Sequence, residues 1–188
     1  AKPIVIKADG NDLLPELDAP RVSLAHDDHE WCVPASALEA AIAPETEPAV
    51  IVALQRSADG DTQASPTASP LHAADAVVTL MGQTMDAERF GPDAITVLAH
   101  LAARSRCVRL SVGPLDAAVS LLAEAVASHH DPLDVHVFPP HGSQPDDVSP
   151  GWSVPAQVRS VMIGDRAVVH DTVGGSIVAL DEAGTAVW

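Results

Sequence analysis

Val158-Arg-Ser-Val-Met-Ile-Gly-Asp-Arg-Ala-Val-Val-His-Asp-Thr-Val-Gly-Gly-Ser-Ile-Val-Ala-Leu-Asp-Glu-Ala-Gly-Thr-Ala-Val-Trp188 is the stretch on which the fold reading turns. Gly164-Asp165 and Gly174-Gly175 each separate short runs rich in β-branched residues, the pattern of a tight three-stranded meander. Asp181 stands at an N-cap position, so a helix opens shortly before Trp188. A meander with the start of one helix buries little apolar surface by itself. The tail is therefore expected to work as part of a larger unit, of which this is the beginning.

Upstream, residues 131–155 hold six prolines together with Gly142, Gly151 and scattered Asp and Ser. That composition predicts a semi-rigid linker and a domain boundary. Three helices are expected before it. The first, over residues 71–85, spaces Leu71, Ala74, Val77, Val78 and Met81 on one face. The second starts at Pro92 and presents Ile95, Leu98, Leu101 and Ala102. The third starts near Pro114, stacks Leu115, Ala118, Val119, Leu122 and Val126, and ends at His129 and His130, where imidazolium suits the carbonyl end of the dipole. Residues 107–112 read as an edge strand, and the apolar run at residues 49–54 as a strand covered on both faces. Residues 3–7 form a short strand. The proline-punctuated segment 8–47 reads as irregular, with one or two helical turns at 35–42. The fold class is thus mixed α/β, with strands and three helices, a proline-rich linker, and the meander with the start of a helix.

Composition narrows the function. The 188 residues are 47% hydrophobic but only 3% aromatic, with no Tyr, so the core must be built from Ala, Val, Leu and Ile. Net charge is −16 with two lysines, which leaves no basic footprint for a nucleic-acid partner. No apolar run approaches the roughly 18 residues of a membrane span, and no signal peptide opens the chain. The two cysteines, Cys32 and Cys107, make no disulfide framework. A soluble, cytoplasmic chain is expected. Because it begins with Ala, it is expected to be processed, trimmed or partial.

Several clusters are chemical candidates. His26, His29 and Cys32 are spaced three apart, and imidazole with thiolate suits zinc; His129, His130, His136 or Cys107 would have to complete the set. The competing reading is a solvated loop anchored by Trp31. Asp27, Asp28 and Glu30 read either as paired carboxylates or as an exposed acidic face. His129-His130-Asp131, with His136 and His141 beyond, reads either as a proton relay or as a helix end entering a polar linker. Arg104, Arg106 and Arg109 form the one basic concentration, suited to phosphate or to neutralising nearby acids. No Walker-type phosphate loop and no Gly-x-Ser-x-Gly elbow occurs.

Two family resemblances follow from these motifs. Residues 161–188, with Leu180, Asp181, Gly184, Val187 and Trp188 in the pattern Leu-[Asn/Asp]-x-x-[Gly/Ala]-x-x-[Ile/Val]-Trp, resemble the start of a PqqD-like domain. Such domains hold a leader peptide as an added strand beside their third strand. The resemblance implies a peptide-binding edge at Ser176, Ile177, Val178, Ala179 and Leu180. Residues 2–124 resemble the C-terminal part of HPr-kinase-like proteins, P-loop kinases related to phosphoenolpyruvate carboxykinase. The matching pieces are residues 2–7, 50–56 and 74–83, and Cys107-Val-Arg-Leu-Ser-Val-Gly-Pro-Leu-Asp-Ala-Ala-Val119, with Val-Gly-Pro where that family often has an aromatic and Asp. The family's nucleotide loop lies upstream of such a segment, so no catalytic residue is carried over.

Modules of these two kinds tend to occur together in peptide-modification systems. Jointly they imply a kinase-like part at 1–130, a linker at 131–155 and a PqqD-like part at 156–188. The intact protein would move phosphate from ATP, with Mg²⁺, to a peptide or protein hydroxyl; this chain alone would be inactive and carry no cofactor. Other proteins of such a system are the implied partners. A non-enzymatic peptide-binding adaptor and a small zinc protein are the alternatives.

Overall fold

The computed structural model describes residues 4–7, 22–24, 27–33, 48–55, 65–83, 93–111, 113–139 and 154–188. Its contacts divide the chain into two units, Ala1–Glu47 and Pro48–Trp188. In the first unit, β1 (Ile4–Lys7), β2 (Val22–Leu24) and β3 (Asp27–Val33) make an antiparallel sheet in the order β1-β3-β2. Val5 and Val22 lie opposite Cys32 from either side, and the register shifts between Ser23 and Leu24. The β1 strand is as expected. The segment around it is not irregular throughout, because Asp27–Val33 is the central strand of this sheet rather than a loop. Ladder bonds on both sides satisfy its backbone whatever its polarity, which a composition-based reading does not register. Residues 35–42 lie outside the described residues.

The second unit is a mixed α/β assembly. Its elements are β4 (Val50–Gln55), β5 (Ala68–Pro70), α1 (Ala73–Gln83), α2 (Ala94–Arg104), β6 (Arg106–Ser111) and α3 (Leu115–Ala127), then β7 (Val135–Val137), β8 (Val158–Ile163), β9 (Arg166–Asp171), β10 (Ile177–Ala179) and α4 (Glu182–Val187). One sheet has the order β4-β6-β5, with β4 parallel and β5 antiparallel to β6. Two strand expectations are corrected here. The strand at 106–111 is central, and the apolar strand at 50–55 is part-buried rather than fully covered, with Leu54 exposed. Alternating Arg109 and Ser111 suggested an edge, yet Cys107, Val108 and Leu110 are buried.

The second sheet is an antiparallel meander, β10-β9-β8-β7. Its β8, β9 and β10 strands with α4 are the elements read from the sequence. β7 is an addition: it lies inside the stretch expected as linker, and Val135 and Val137 pair with Ile163 and Val161. The contact division falls between Glu47 and Pro48, whereas proline content puts the expected boundary at 131–155.

One apolar core joins helices and meander. Ala74, Ala76, Val77, Ile95, Ala99, Ala102 and Ala103 from α1 and α2 are buried together with Val161, Ile163 and Val168 from β8 and β9. Alanines at the helix faces allow close approach of backbone to sheet, so a core almost without aromatics still packs. The α3 expectation needs correction. Ala118 and Ala125 turn inward, while Leu115, Val119 and Val126 are more than half exposed. No helix among the described residues is long and apolar enough to cross a membrane.

Candidate functional site

The β9–β10 connection determines where β10 lies. Asp171 Oδ1 accepts from the N–H groups of Val173 and Gly174, both at 3.0 Å, closing an Asx-type turn. Those two N–H groups, Gly174's first, hold the Asp171 carboxyl below its usual 3.8. Gly175 follows at φ +69°, and a Cβ at Gly174 would sit 2.6 Å from Asp171 Oδ2, so both glycines are required by geometry. Asp171 N–H donates to Ser176 O and Leu180 N–H to Ala167 O, each at 2.8 Å. Downstream, Asp181 caps α4 through Gly184 N–H at 2.8 Å, and Thr185 Oγ1 accepts from Ala167 N–H at 3.0 Å. The short helix is thereby tied to β9.

The residues expected to receive a peptide, Ser176, Ile177, Val178, Ala179 and Leu180, are thus centred on the terminal strand of the sheet. Ser176 and Leu180 engage β9, so the two-residue alternation of an antiparallel ladder turns the N–H and C=O groups of Ile177 and Ala179 to the open side. Those groups have no backbone partner among the described residues. The side chains of Ile177 and Ala179 pack toward the core, and Val178 is half exposed on the other face.

A second feature lies at the N-terminus of α1. A cavity of about 520 Å³ is lined by residues of α1, β6, the α3–β7 connection and the start of β9, among them His72, Asp75, Arg106 and Arg166. Leu71 N–H donates to Cys107 O at 3.0 Å, which sets the start of α1 against β6. His72 caps the helix: its Nδ1 accepts from Ala74 N–H at 3.1 Å, so the ring proton sits on Nε2, 3.0 Å from Asp165 Oδ1. That hydrogen bond is the main cause holding Asp165 below its usual 3.8. Arg166 reaches Asp75 Oδ2 at 3.3 Å. The Cys107 thiol is buried, with Sγ 3.5 Å from Ala102 O, and burial pushes its pKa up to about 11. It is therefore a poor nucleophile.

His29 and Cys32 lie on β3, and His26 lies outside the described residues. Asp27, Asp28 and Glu30 occupy the same strand. No group of three or more potential metal ligands occurs among the described residues. His129 pairs with Asp131 at 2.8 Å in full solvent, and His136 meets the edge of Phe138 with ring centroids 4.8 Å apart. His130 Nε2 lies 3.3 Å from Ala103 O, so it meets the carbonyl end of α2 and not of α3, which stops at Ala127. His141 lies outside the described residues. Sequence reasoning did not connect His72, Asp75 and Arg166. A polar residue just before an apolar helical repeat is a cap signal for His72, but nothing local links it to residues some ninety positions away. No family model, curated protein or solved structure matches this chain.

Proposed function

We propose that residues 156–188 act as a PqqD-like element that captures an extended peptide by strand addition along β10, within a peptide-modification system whose phosphotransfer is HPr-kinase-like. The observation that carries this reading is the open edge of β10, where Ile177 and Ala179 present unengaged backbone groups at the positions the resemblance assigns to peptide contact. An exposed edge of this kind is a template for another strand, and soluble proteins ordinarily blunt such edges with Pro, Lys or a bulge. Residues 176–180 contain none of these. ATP- and Mg²⁺-dependent transfer to a peptide or protein hydroxyl is proposed on the resemblance of residues 2–124 alone, and no residue here is assigned a catalytic role.

Selection from a displayed library of random peptides, followed by amide exchange on the captured complex, tests the proposal. Binders should protect the amides of Ile177 and Ala179 while leaving Val178, already bonded to β9, little changed. Ala179→Pro removes only an outward N–H, a substitution edge strands tolerate, and should abolish capture. Peptides that bind wild type and Ala179→Pro alike would refute strand addition, as would a library yielding no binder.

A further inference from the structure

The arginines at 104–109 stand out in the sequence as candidates for phosphate, and one of them has a setting the peptide-capture reading does not use. Arg106 is half-buried at the start of β6 and lines the cavity beside α1. Its backbone N–H bonds Ala49 O, but its guanidinium has no hydrogen bond or ion pair among the described residues. That is unexpected in a chain with 26 acidic side chains against 10 basic ones. If Arg106 served to neutralise local acid, a carboxylate would meet it. The one carboxylate lining the cavity among the described residues, Asp75, is instead engaged by Arg166.

We infer that this cavity is a binding site for a small organic anion, a carboxylate or phosphate head on a compact apolar body, with Arg106 as its principal ligand and Arg166 beside it. Among the described residues, two arginines against one carboxylate make the lining net positive, while the chain as a whole carries −16. A guanidinium fork matches either head group through paired N–H donors. Pro70, Leu71 and Leu133 line the same cavity and offer an apolar wall, which argues for an organic anion over an inorganic one. The volume of about 520 Å³ falls in the roughly 300–1,000 Å³ of small-molecule sites. The neighbouring cavity between β4 and α1 has no charged group among its described lining residues, so the positive character is local to this one. His72 adds geometry rather than charge. Its Nδ1 is occupied by the α1 cap and its Nε2 by Asp165, leaving the arginines to recognise the ligand.

The inference stands apart from peptide capture, because it rests on different residues. Its test is an amide-shift titration of the isotope-labelled full chain with phenyl phosphate, benzoate and the neutral isostere benzamide. Saturable shifts at Leu71, Ala73 and Cys107 are expected with phenyl phosphate, benzoate or both, and the tighter of the two identifies the head group. Benzamide should bind at least about tenfold more weakly, a comparison that needs no variant. Arg106→Gln should weaken anion binding by about tenfold or more, and Arg106→Lys, which keeps the charge but loses the fork, by less. Absence of saturation by either anion at concentrations on the order of 10 mM would overturn the site. So would equal binding of benzamide and benzoate, or undiminished binding by a folded Arg106→Gln protein.

Discussion

His170 sits on β9 opposite Arg159 and Ile177, with its Nδ1 buried and unbonded among the described residues. Burial holds its pKa below the usual 6.5, against the weaker opposing pull of Asp171 next to it. The unfolded chain therefore takes up a proton at a pH where the folded chain resists it. Stability should be flat above about pH 6.5 and fall as pH drops through and below that value, until the folded ring also protonates. Asp165 and Asp171 add a separate, lower window. Both are held below 3.8 in the folded state, so their contribution is complete above that value and is lost as pH falls through the folded values. Melting midpoints followed by circular dichroism should accordingly drop between pH 7 and pH 5 in the wild type. His170→Phe should flatten that limb and leave the acid limb in place. An unchanged slope in the variant would assign the drop to other histidines.

At the scale of elements, α1 is held at its first turn by its cap and by the β8–β9 hairpin. His72 both caps the helix and donates to Asp165, while Asp75 one turn on meets Arg166. His72→Ala removes the cap together with the link to the turn. It should cost on the order of 1 kcal/mol, the usual worth of a side-chain cap, in urea unfolding. Asp165→Ala should cost less, because that carboxylate is exposed and its ion pair is screened. A larger loss for Asp165→Ala than for His72→Ala would mean that the turn, not the cap, orients the helix. This helix was legible because Leu71, Ala74, Val77 and Met81 recur at helical spacing and are all buried. The same spacing over α3 names a face but does not say whether anything covers it, and Leu115, Val119 and Val126 are exposed. β7 was illegible for a different reason. Three residues between Pro132 and Pro139 carry no periodicity of their own, and they become a strand because β8 supplies the ladder.

Across the whole molecule, legibility tracked sequence separation. The β10 strand could be read because two glycine turns and a cap lie within some thirty residues of one another. The anion cavity could not, since Arg106 and Arg166 come together only when α1 packs against both β6 and the β8–β9 hairpin. That packing also bears on how the second unit unfolds. Val161, Ile163 and Val168 are fully buried in the same core as Val77, Ile95 and Ala102, so neither helices nor meander can lose contact without the other losing its cover. Two modules joined by a linker would melt in two steps, with a tail mutation affecting only the tail. A shared core predicts one step. Ile163→Ala removes a fully buried side chain and should cost about 2–5 kcal/mol, felt equally in α1 and β9. Amide exchange provides the measurement: protection at Val77 and Val168 should fall by the same free energy in the variant. Loss at Val168 with Val77 unchanged would mean that the meander opens as a module of its own, and the common core would then be a contact between two domains rather than the centre of one.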